Sequence, residues 1–318
     1  MPITRRSAMT LPSLLAAPAL AQPTRPIRML MGFPPGGPTD FVGRLTANGL
    51  QDQIGQTIVF ENRPGANSVL AAEAVARAAA DGHTLLFASN SLAMNASAYA
   101  RLPYDPTTSF APIAMVATSP NVLWCGTSQP WHSLDQLVAA AKAQPGTLGY
   151  ASTGNGGNGH FGGETLRQAL GIDISHIPYR GTAPALLDVI AGRVPLMMQT
   201  MVGAIGPYRE NQLRPLVVFG PNRAPELPDV PTLKELGHEV PDSGVWFGVL
   251  APAGTPPPFV MRVSHALQAM LEKPESRAQL ASQASVPAYL GPDDFAARIR
   301  TDVTNWADVA RRAGIRPE

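Results

Sequence analysis

The sequence predicts an α/β protein made of two doubly wound units, each with a mostly parallel sheet. From Arg28 onward, apolar runs of strand length alternate with longer segments whose apolar residues recur at helical spacing. Two glycine-rich stretches, FPPGGPTD and TGNGGNGH, each stand between a predicted strand and a predicted helix. A chain of 318 residues also exceeds what one ordinary core organises, so we expect two domains.

Residues 1–21 are expected to be a signal peptide and not part of the fold. Arg5-Arg6 precedes an apolar run from Ala8 to Leu20, and small residues follow as far as a cleavage site near Ala21. Pro12 and Pro18 would interrupt a helix packed on the domain. This pattern predicts export to the periplasm. The paired arginines leave both the general secretory and the twin-arginine routes open.

The charge of the predicted mature chain excludes several classes of partner. The full chain carries a net charge of +1, and removal of two arginines with the signal peptide changes it to −1. Without a basic run, neither nucleic acid nor an anionic membrane is expected to bind. No later apolar run approaches the ~20 residues that span a bilayer. Cys125 is the single cysteine. It has no partner for an internal disulfide, so we expect a buried thiol. We also expect the protein to be free and monomeric.

The first unit is predicted to alternate strands and helices from the start of the mature chain. The helix after FPPGGPTD carries Phe41, Leu45 and Ile54 at helical spacing, and Thr39 or Asp40 is expected to cap it. The predicted strands are Ile27–Met31, Thr57–Phe60 and Thr84–Ala88, the last ending at Ser89-Asn90, and the predicted second helix is Ser68–Ala80.

The second unit begins with a strand and a helix opened by Ser133 and Gln136, which form a capping box. Trp124 and Trp246 mark the expected crossings, which gives one lobe from 22–123 plus 247–318 and the other from 124–246. Further strands are predicted at Asn121–Cys125, Leu148–Ser152, Ile174–Ile177, Leu196–Gln199, Leu216–Phe219 and Val245–Leu250, and helices at Ala183–Ala191, Phe259–Glu272 and Asp293–Ala313.

The FPPGGPTD loop has the composition of an anion cradle. Gly36 and Gly37 allow a ligand to approach backbone N–H groups at a helix N-terminus, and the three prolines stiffen the loop. The alternative is a tight connection without a ligand. Asp40 is explained more simply as a helix cap whose carboxylate stays ionised than as a general base.

The second loop, TGNGGNGH, also spells GxGxxG and leaves three interpretations open. It can contact a ligand, form only a turn, or bind NADP with Arg180 nearby. The strand after it ends in HIPYRG without the acidic residue that usually binds the ribose. His160 is a candidate ligand contact, whereas His176 inside a strand is expected to be a satisfied core histidine.

Motifs for catalysis and for metal binding are missing. The chain contains no GxSxG, no GxxxxGK[ST] and no HExxH, and its six histidines lack metal-ligand spacing. We therefore expect a binding protein, not an enzyme, with neither cofactor nor metal.

Seven blocks in order, among them FPPGGPTD, ENRPGAN, DGHTLLFAS, HIPYRGTAPALLDVIAG and VWFGVLAPAGTP, closely resemble the Bug family of tripartite tricarboxylate transporter substrate-binding proteins. The likeness runs from about Arg25 to Gly314. It implies a type II periplasmic-binding-protein fold, in which two α/β lobes close on a ligand. It also implies a periplasmic protein that captures a small carboxylate for membrane permease subunits.

The resemblance places ligand contacts on both lobes. The first lobe would hold a carboxylate through backbone N–H groups and ordered waters, and Gln199 would shape the distal pocket. The implied contacts are Phe33, Gly36, Gly37, Thr39, Asp40, Ser89 and Asn90 on the first lobe, and Thr153, Gly154, Asn155, Gly156, Gly157, His160, Gly181, Thr182, Ala183 and Gln199 on the second.

Three departures from the family pattern stand out. Pro195 replaces a usual Asp, and the Met-rich segment MMQTMVG after it lacks an acidic residue. Asn67 and Ser68 replace a usual glycine pair in a loop that we interpret as structural.

The sequence leaves open whether the partner is a permease or a membrane sensor, and an exported NADP-dependent oxidoreductase is the alternative from a different class. Dicarboxylates, tricarboxylates, aromatic acids, acidic amino acids and amides all remain possible ligands.

Overall fold

The structure, a computed structural model, describes residues 25–315. The predicted signal peptide and its cleavage site lie outside this range. Strands and helices alternate along the chain. They are β1 Ile27–Met31, α1 Pro38–Ile54, β2 Ile58–Asn62, α2 Val69–Ala76, β3 Thr84–Ser89, α3 Ser91–Ala98, β4 Phe110–Ser119, β5 Asn121–Gly126, α4 Leu134–Ala143, β6 Leu148–Ser152, α5 Asn158–Leu170, β7 Ile174–Pro178, α6 Thr182–Ile190, β8 Leu196–Thr200, α7 Met201–Arg209, β9 Leu213–Phe219, β10 Val245–Pro252, α8 Pro257–Glu272, α9 Pro274–Ser282, β11 Val286–Leu290 and α10 Pro292–Ala313.

The strands form two sheets that repeat one arrangement. The first has the order β11-β4-β10-β3-β1-β2 and the second the order β7-β6-β8-β5-β9. In each sheet, βα units form a set of parallel strands. One strand, β10 in the first sheet and β5 in the second, lies between two others and is antiparallel to both. The sheets are therefore mixed, because a strand arriving from the other sheet runs against its neighbours. The predicted type II binding-protein fold is confirmed.

The chain passes between the sheets twice. Only Pro120 separates β4 from β5, and residues 220–244 connect β9 to β10. Trp124 and Trp246 lie just inside these crossing strands, and both are fully buried. Their indole N–H groups donate to Gln199 O at 2.9 Å and Asp302 Oδ2 at 2.6 Å. The lobe boundaries placed at these tryptophans stay predictions.

Apolar cores cover both faces of both sheets, and a smaller cluster joins the lobes. Its centre is a T-shaped contact between Phe161 of α5 and Trp306 of α10, with ring centroids 5.4 Å apart. The cluster consists of Ala93, Met94, Phe161, Trp306, Val309 and Ala310. Helix α10 thereby packs against both α3 and α5, so the two lobes share apolar contacts beyond the crossing strands.

The predicted helix starts need correction in the first lobe. Helix α1 begins at Pro38 with Gly37 as N-cap, so neither Thr39 nor Asp40 caps it. Proline suits the first helical turn because its missing N–H would be unpaired there in any case. Helix α2 begins at Val69, one residue later than predicted, because Ser68 has φ 73 and is not helical. It ends at Ala76, four residues before the predicted end. The capping box at Ser133 is confirmed, with its hydroxyl accepting from Gln136 N at 3.3 Å.

Periodicity predicted a helix in the position of α7 but did not predict α3, β4, α9 and β11. Among residues 25–315, no helix combines the length and the apolarity needed to cross a bilayer.

Candidate ligand-binding cleft

The first glycine loop closes on itself through one side chain. Gly36 has φ 82, a left-handed conformation that glycine adopts at little cost, and Gly37 is extended at φ −85. The Gly36 N–H donates to Asp40 Oδ2 at 3.0 Å. Asp40 therefore holds the turn that presents the N-terminus of α1.

Asp40 is the centre of a polar network within its own lobe. Arg44 Nε donates to Asp40 Oδ2 at 3.0 Å, and Asn62 Nδ2 donates to Asp40 Oδ1 at 2.8 Å. Asn62 also donates to the carbonyl of Phe33 at 3.2 Å. Burial opposes ionisation, but the bonds from Arg44, Gly36 and Asn62 outweigh it and lower the pKa of Asp40. The carboxylate stays ionised, as predicted, and organises the loop.

The second glycine loop repeats this geometry with different chemistry. Gly156 is left-handed at φ 64 and Gly157, the N-cap of α5, is extended at φ −92. The Gly156 N–H donates to His160 Nδ1 at 3.2 Å, the counterpart of the bond from Gly36 to Asp40. Gly154, at φ 142, forms hydrogen bonds with Ser152 Oγ through both its N–H and its carbonyl. Thr153 is partly buried and Asn155 is exposed.

A histidine pair supports the second loop. The rings of His160 and His176 stack with centroids 3.9 Å apart, and His176 Nε2 lies 2.6 Å from Ser152 Oγ. His176 is thus hydrogen-bonded, as predicted, but it is only partly buried on the edge strand β7 and does not lie in the core. Burial, together with the neighbouring His160, lowers the pKa of His176 to about 3. An imidazole that stays neutral therefore lies beneath the loop.

The N-termini of α3 and α5 meet where the lobes meet. Asn90, the N-cap of α3, donates through Nδ2 to Gly244 O at 3.2 Å and to Asn158 Oδ1 at 3.4 Å. Asn158 opens α5, and its Nδ2 is buried with no hydrogen-bond partner among residues 25–315. A buried donor at two helix N-termini suits an acceptor with negative charge. Asn158 was not among the predicted contacts, although it lies inside the GGNGH stretch.

The predicted residues at α6 form a smaller group. Gly181 is the N-cap of α6 at φ 108, Thr182 follows it, and Ala183 is exposed. Gln199, at the end of β8, donates through Nε2 to Thr182 Oγ1 at 3.0 Å. Its Oε1 accepts from the N–H of Thr200 at 2.9 Å. Gln199 and Thr182 are therefore joined by a hydrogen bond, and their contact with a ligand stays a prediction.

On the first lobe, Ser89 and Asn90 are buried at the end of β3, and Ser89 Oγ lies 3.0 Å from Ser91 Oγ. The hydrogen bonds that shape the loop from Phe33 to Asp40 stay within that lobe. The structure thus joins Asn90 to the second lobe, whereas the partners in these bonds of the first loop all belong to the first lobe.

A cavity of about 420 Å³ lies beside α5, on the side of α3 and the end of α10. Of the predicted contacts it includes only Asn155, Gly156 and His160. The rest of its lining is Ala98, Tyr99, Glu164, Arg167, Ile174, Ala313, Gly314 and Ile315. This cavity therefore lies apart from Thr182 and Gln199, and it is not the predicted cleft.

The packing of the GxGxxG loop disfavours a dinucleotide there. A Cβ on Gly156 would lie 2.7 Å from Ala98 Cβ of the first lobe, and the Gly156 carbonyl already accepts from Asn67 Nδ2 at 3.2 Å. A Cβ on Gly159 would lie 2.7 Å from the carbonyl oxygen of Met198, so this glycine allows α5 to pack closely on the sheet. Within residues 25–315, no cluster of three His, Cys, Asp or Glu side chains could hold a metal ion.

Comparison with known proteins places the chain in one family. Residues 42–315 match the family model described as tripartite tricarboxylate transporter family receptor. The chain is 36% identical to protein BugT of Bordetella pertussis over 304 residues, covering 94% of this chain and 93% of BugT.

Solved structures with the same fold include members with bound dicarboxylates. Periplasmic binding protein BugD is 31% identical, with a TM-score of 0.84 over 93% of this chain and 100% of BugD. R. palustris Rpa4515 with adipate is 32% identical, with a TM-score of 0.86 over 93% and 99% of the two chains. MatC (Rpa3494) from Rhodopseudomonas palustris with bound malate is 30% identical, with a TM-score of 0.80 over 91% and 99%. The chain therefore belongs to the tripartite tricarboxylate transporter receptor family, the Bug proteins, whose members are periplasmic solute-binding proteins.

Proposed function

We propose that this protein captures a small carboxylate between its lobes and delivers it to the permease subunits of a tripartite tricarboxylate-type transporter. The observation that carries the proposal is the junction of α3 and α5. There Asn90 and Asn158 meet across the lobes and Asn158 Nδ2 is a buried donor without a partner in residues 25–315. Adipate and malate, bound by Rpa4515 and MatC, are acceptors of the chemistry that such a donor requires.

The mode of binding follows from the helix N-termini. A carboxylate placed there accepts hydrogen bonds from unpaired N–H groups and interacts favourably with the helix dipoles, each worth up to about 1 kcal/mol. A ligand that contacts both lobes stabilises the closed arrangement by its preference for that state. Thr182 and Gln199 would then contact the distal part of the ligand. Binding needs no catalytic group and no cofactor.

The test is a binding titration of residues 22–318, refolded from denaturant to remove carried ligand, against adipate, malate, nicotinamide and NADP. At 100 times its Kd, a ligand stabilises the fold by about 2.7 kcal/mol, which thermal unfolding detects. Asn158→Asp places a negative charge against the carboxylate, so we expect affinity to fall at least about tenfold. Asn222→Asp adds the same charge at an exposed loop and is the matched control.

Two outcomes would contradict the proposal. Binding of NADP alone would favour the oxidoreductase, and equal affinity in Asn158→Asp and wild type would remove the α3–α5 junction from the site. Uptake of labelled ligand by cells lacking this protein separates the partners. Loss of uptake supports delivery to a permease, whereas unchanged uptake with a lost transcriptional response would indicate a sensor.

A further inference from the structure

The loop between β2 and α2 has an unusual backbone. Gly65, Ala66, Asn67 and Ser68 have φ 146, 47, 48 and 73, so three successive non-glycine residues lie at positive φ. Such conformations are uncommon outside glycine and persist where the surrounding contacts enforce them. The contacts of this loop therefore need an explanation beyond chain connection.

The contacts of Asn67 supply that explanation. Its Nδ2 donates to Asn95 Oδ1 at 2.9 Å in its own lobe and to the Gly156 carbonyl at 3.2 Å in the other lobe. Asn95 is fully buried, and its Nδ2 donates to Asn67 O at 3.0 Å and to Tyr104 Oη at 3.1 Å. Asn95 thus holds Asn67 through both its side-chain amide and its backbone carbonyl, and the Asn67 amide also donates across to the second glycine loop.

Gly156 is the residue through which this contact reaches the cleft. Its carbonyl accepts from Asn67, and its N–H donates to His160 Nδ1 at 3.2 Å. Gly157, the N-cap of α5, and Asn158, its first residue, follow directly. The contact between Phe161 and Trp306 anchors α5 one turn further along and does not involve the loop itself.

We propose that Asn67 is a positioning residue that docks the second glycine loop on the first lobe and so sets the N-terminus of α5 for the ligand. The left-handed backbone at residues 66–68 directs the amide across the lobe boundary. The effect on ligand affinity rests on the function proposed above, whereas the docking of the loop does not.

The test is hydrogen exchange of the ligand-free protein, read by mass spectrometry over residues 153–161. Asn67→Asp keeps the size of the side chain but removes both donated hydrogen bonds. We expect exchange of this segment to accelerate about fivefold, the effect of losing one hydrogen bond. Asn67→Gly, which accepts positive φ without strain, is expected to act in the same way. Ser68→Gly relaxes the neighbouring residue without touching the amide, and it should leave exchange over 153–161 unchanged.

Titration with adipate and malate provides the second readout. For whichever of the two the wild type binds, Asn67→Asp should weaken binding about fivefold and Ser68→Gly should not. The proposal is overturned if both Asn67 variants accelerate exchange only in residues 65–76 and 91–98, which would indicate a structural role inside one lobe. Faster exchange over 153–161 with unchanged affinity would also overturn it. A wild type that binds neither diacid would count against the proposed function, while exchange still decides whether Asn67 docks the loop.

Discussion

The two glycine loops occupy equivalent places in the two lobes, yet they differ in charge. Each follows the first strand of a parallel set, and each has a left-handed glycine, an extended glycine as N-cap, and a side chain at the third helical position that accepts from the first glycine. That side chain is the ionised Asp40 in one loop and His160 in the other. One backbone geometry is thus compatible with two electrostatic environments.

The difference shows which loop better suits an anionic ligand. Asp40 places its own carboxylate at the N-terminus of α1, where it uses part of the favourable dipole interaction. The N-terminus of α5 has an imidazole at that position and the buried amide of Asn158 beside it. We infer that the second lobe makes the stronger contact with a carboxylate, while the first lobe completes the enclosure.

The helices that follow the two loops, α1 and α5, both have glycine as their sixth residue. A Cβ on Gly163 would lie 2.1 Å from the Tyr150 ring, and one on Gly43 would lie 2.4 Å from the Phe60 ring. We expect Gly163→Ala and Gly43→Ala each to lower the free energy of unfolding by about 2–3 kcal/mol, because a packed aromatic ring must move. Chemical denaturation measures this change.

The control for both variants is Gly206→Ala in α7, since a Cβ there meets no atom within 4 Å. It should leave the protein unchanged or stabilise it by up to about 1 kcal/mol. Equal stability of Gly163→Ala and Gly206→Ala would mean that α5 does not pack as closely on its sheet as described.

Beside the strand that leads into each glycine loop lies another strand, and the two lobes differ at its third residue. At this position only the second lobe has a side chain that can bind a proton. Phe60 in β2 and His176 in β7 occupy this position, each paired with the third residue of the preceding strand. The folded-state pKa of His176 is about 3, whereas an unfolded histidine titrates near ~6.5. Between these values only the unfolded chain binds the proton, so stability falls as pH drops below about 6.5. The loss at pH 5 should be at most about 2 kcal/mol.

Denaturation curves at pH 7, 6 and 5 measure this slope. His176→Phe, which copies the first lobe, should remove the contribution of His176 to the slope even though it loses the bond to Ser152. His132→Gln, at an exposed position, should keep the wild-type slope. A His176→Phe protein with the full wild-type slope would assign the pH dependence to other groups.

The smallest effect is expected from Asp40 itself. Asp40→Asn should destabilise the protein by about 1 kcal/mol at pH 7, because the charge-assisted bonds from Arg44 and the Gly36 N–H weaken. Since the pKa of Asp40 is lowered in the folded state, this stabilisation is present above pH ~4 and is lost as pH falls through the folded pKa. The stability difference between wild type and variant should therefore shrink as pH falls below ~4, as thermal unfolding can test. Asp52→Asn, exposed at the other end of α1, is the control. A difference that stays constant as pH falls below ~4 would contradict the role of the charge.

The geometry of the two glycine loops could be predicted because glycine conformation and the helix start are local properties. Gly36-Gly37 and Gly156-Gly157 both take the conformations that a strand-to-helix turn requires, and both precede a helix as expected. The role of Asn67 could not be predicted, since its partner Gly156 lies 89 residues away. Asn158 was missed for a similar reason, because an asparagine in a glycine loop resembles turn chemistry until its partner Asn90 is known.

By itself the sequence determined the two-unit α/β organisation and the family, because alternating periodicity, turn residues and ordered motifs are written along the chain. It also indicated that Asp40 stays ionised and that His176 is satisfied. Only the tertiary structure decided that β5 and β10 enter antiparallel, since the direction of a strand depends on where the chain comes from. It likewise decided which side chains meet across the lobes, because contacts between Asn67 and Gly156 or Asn90 and Asn158 exist only when two sheets pack together.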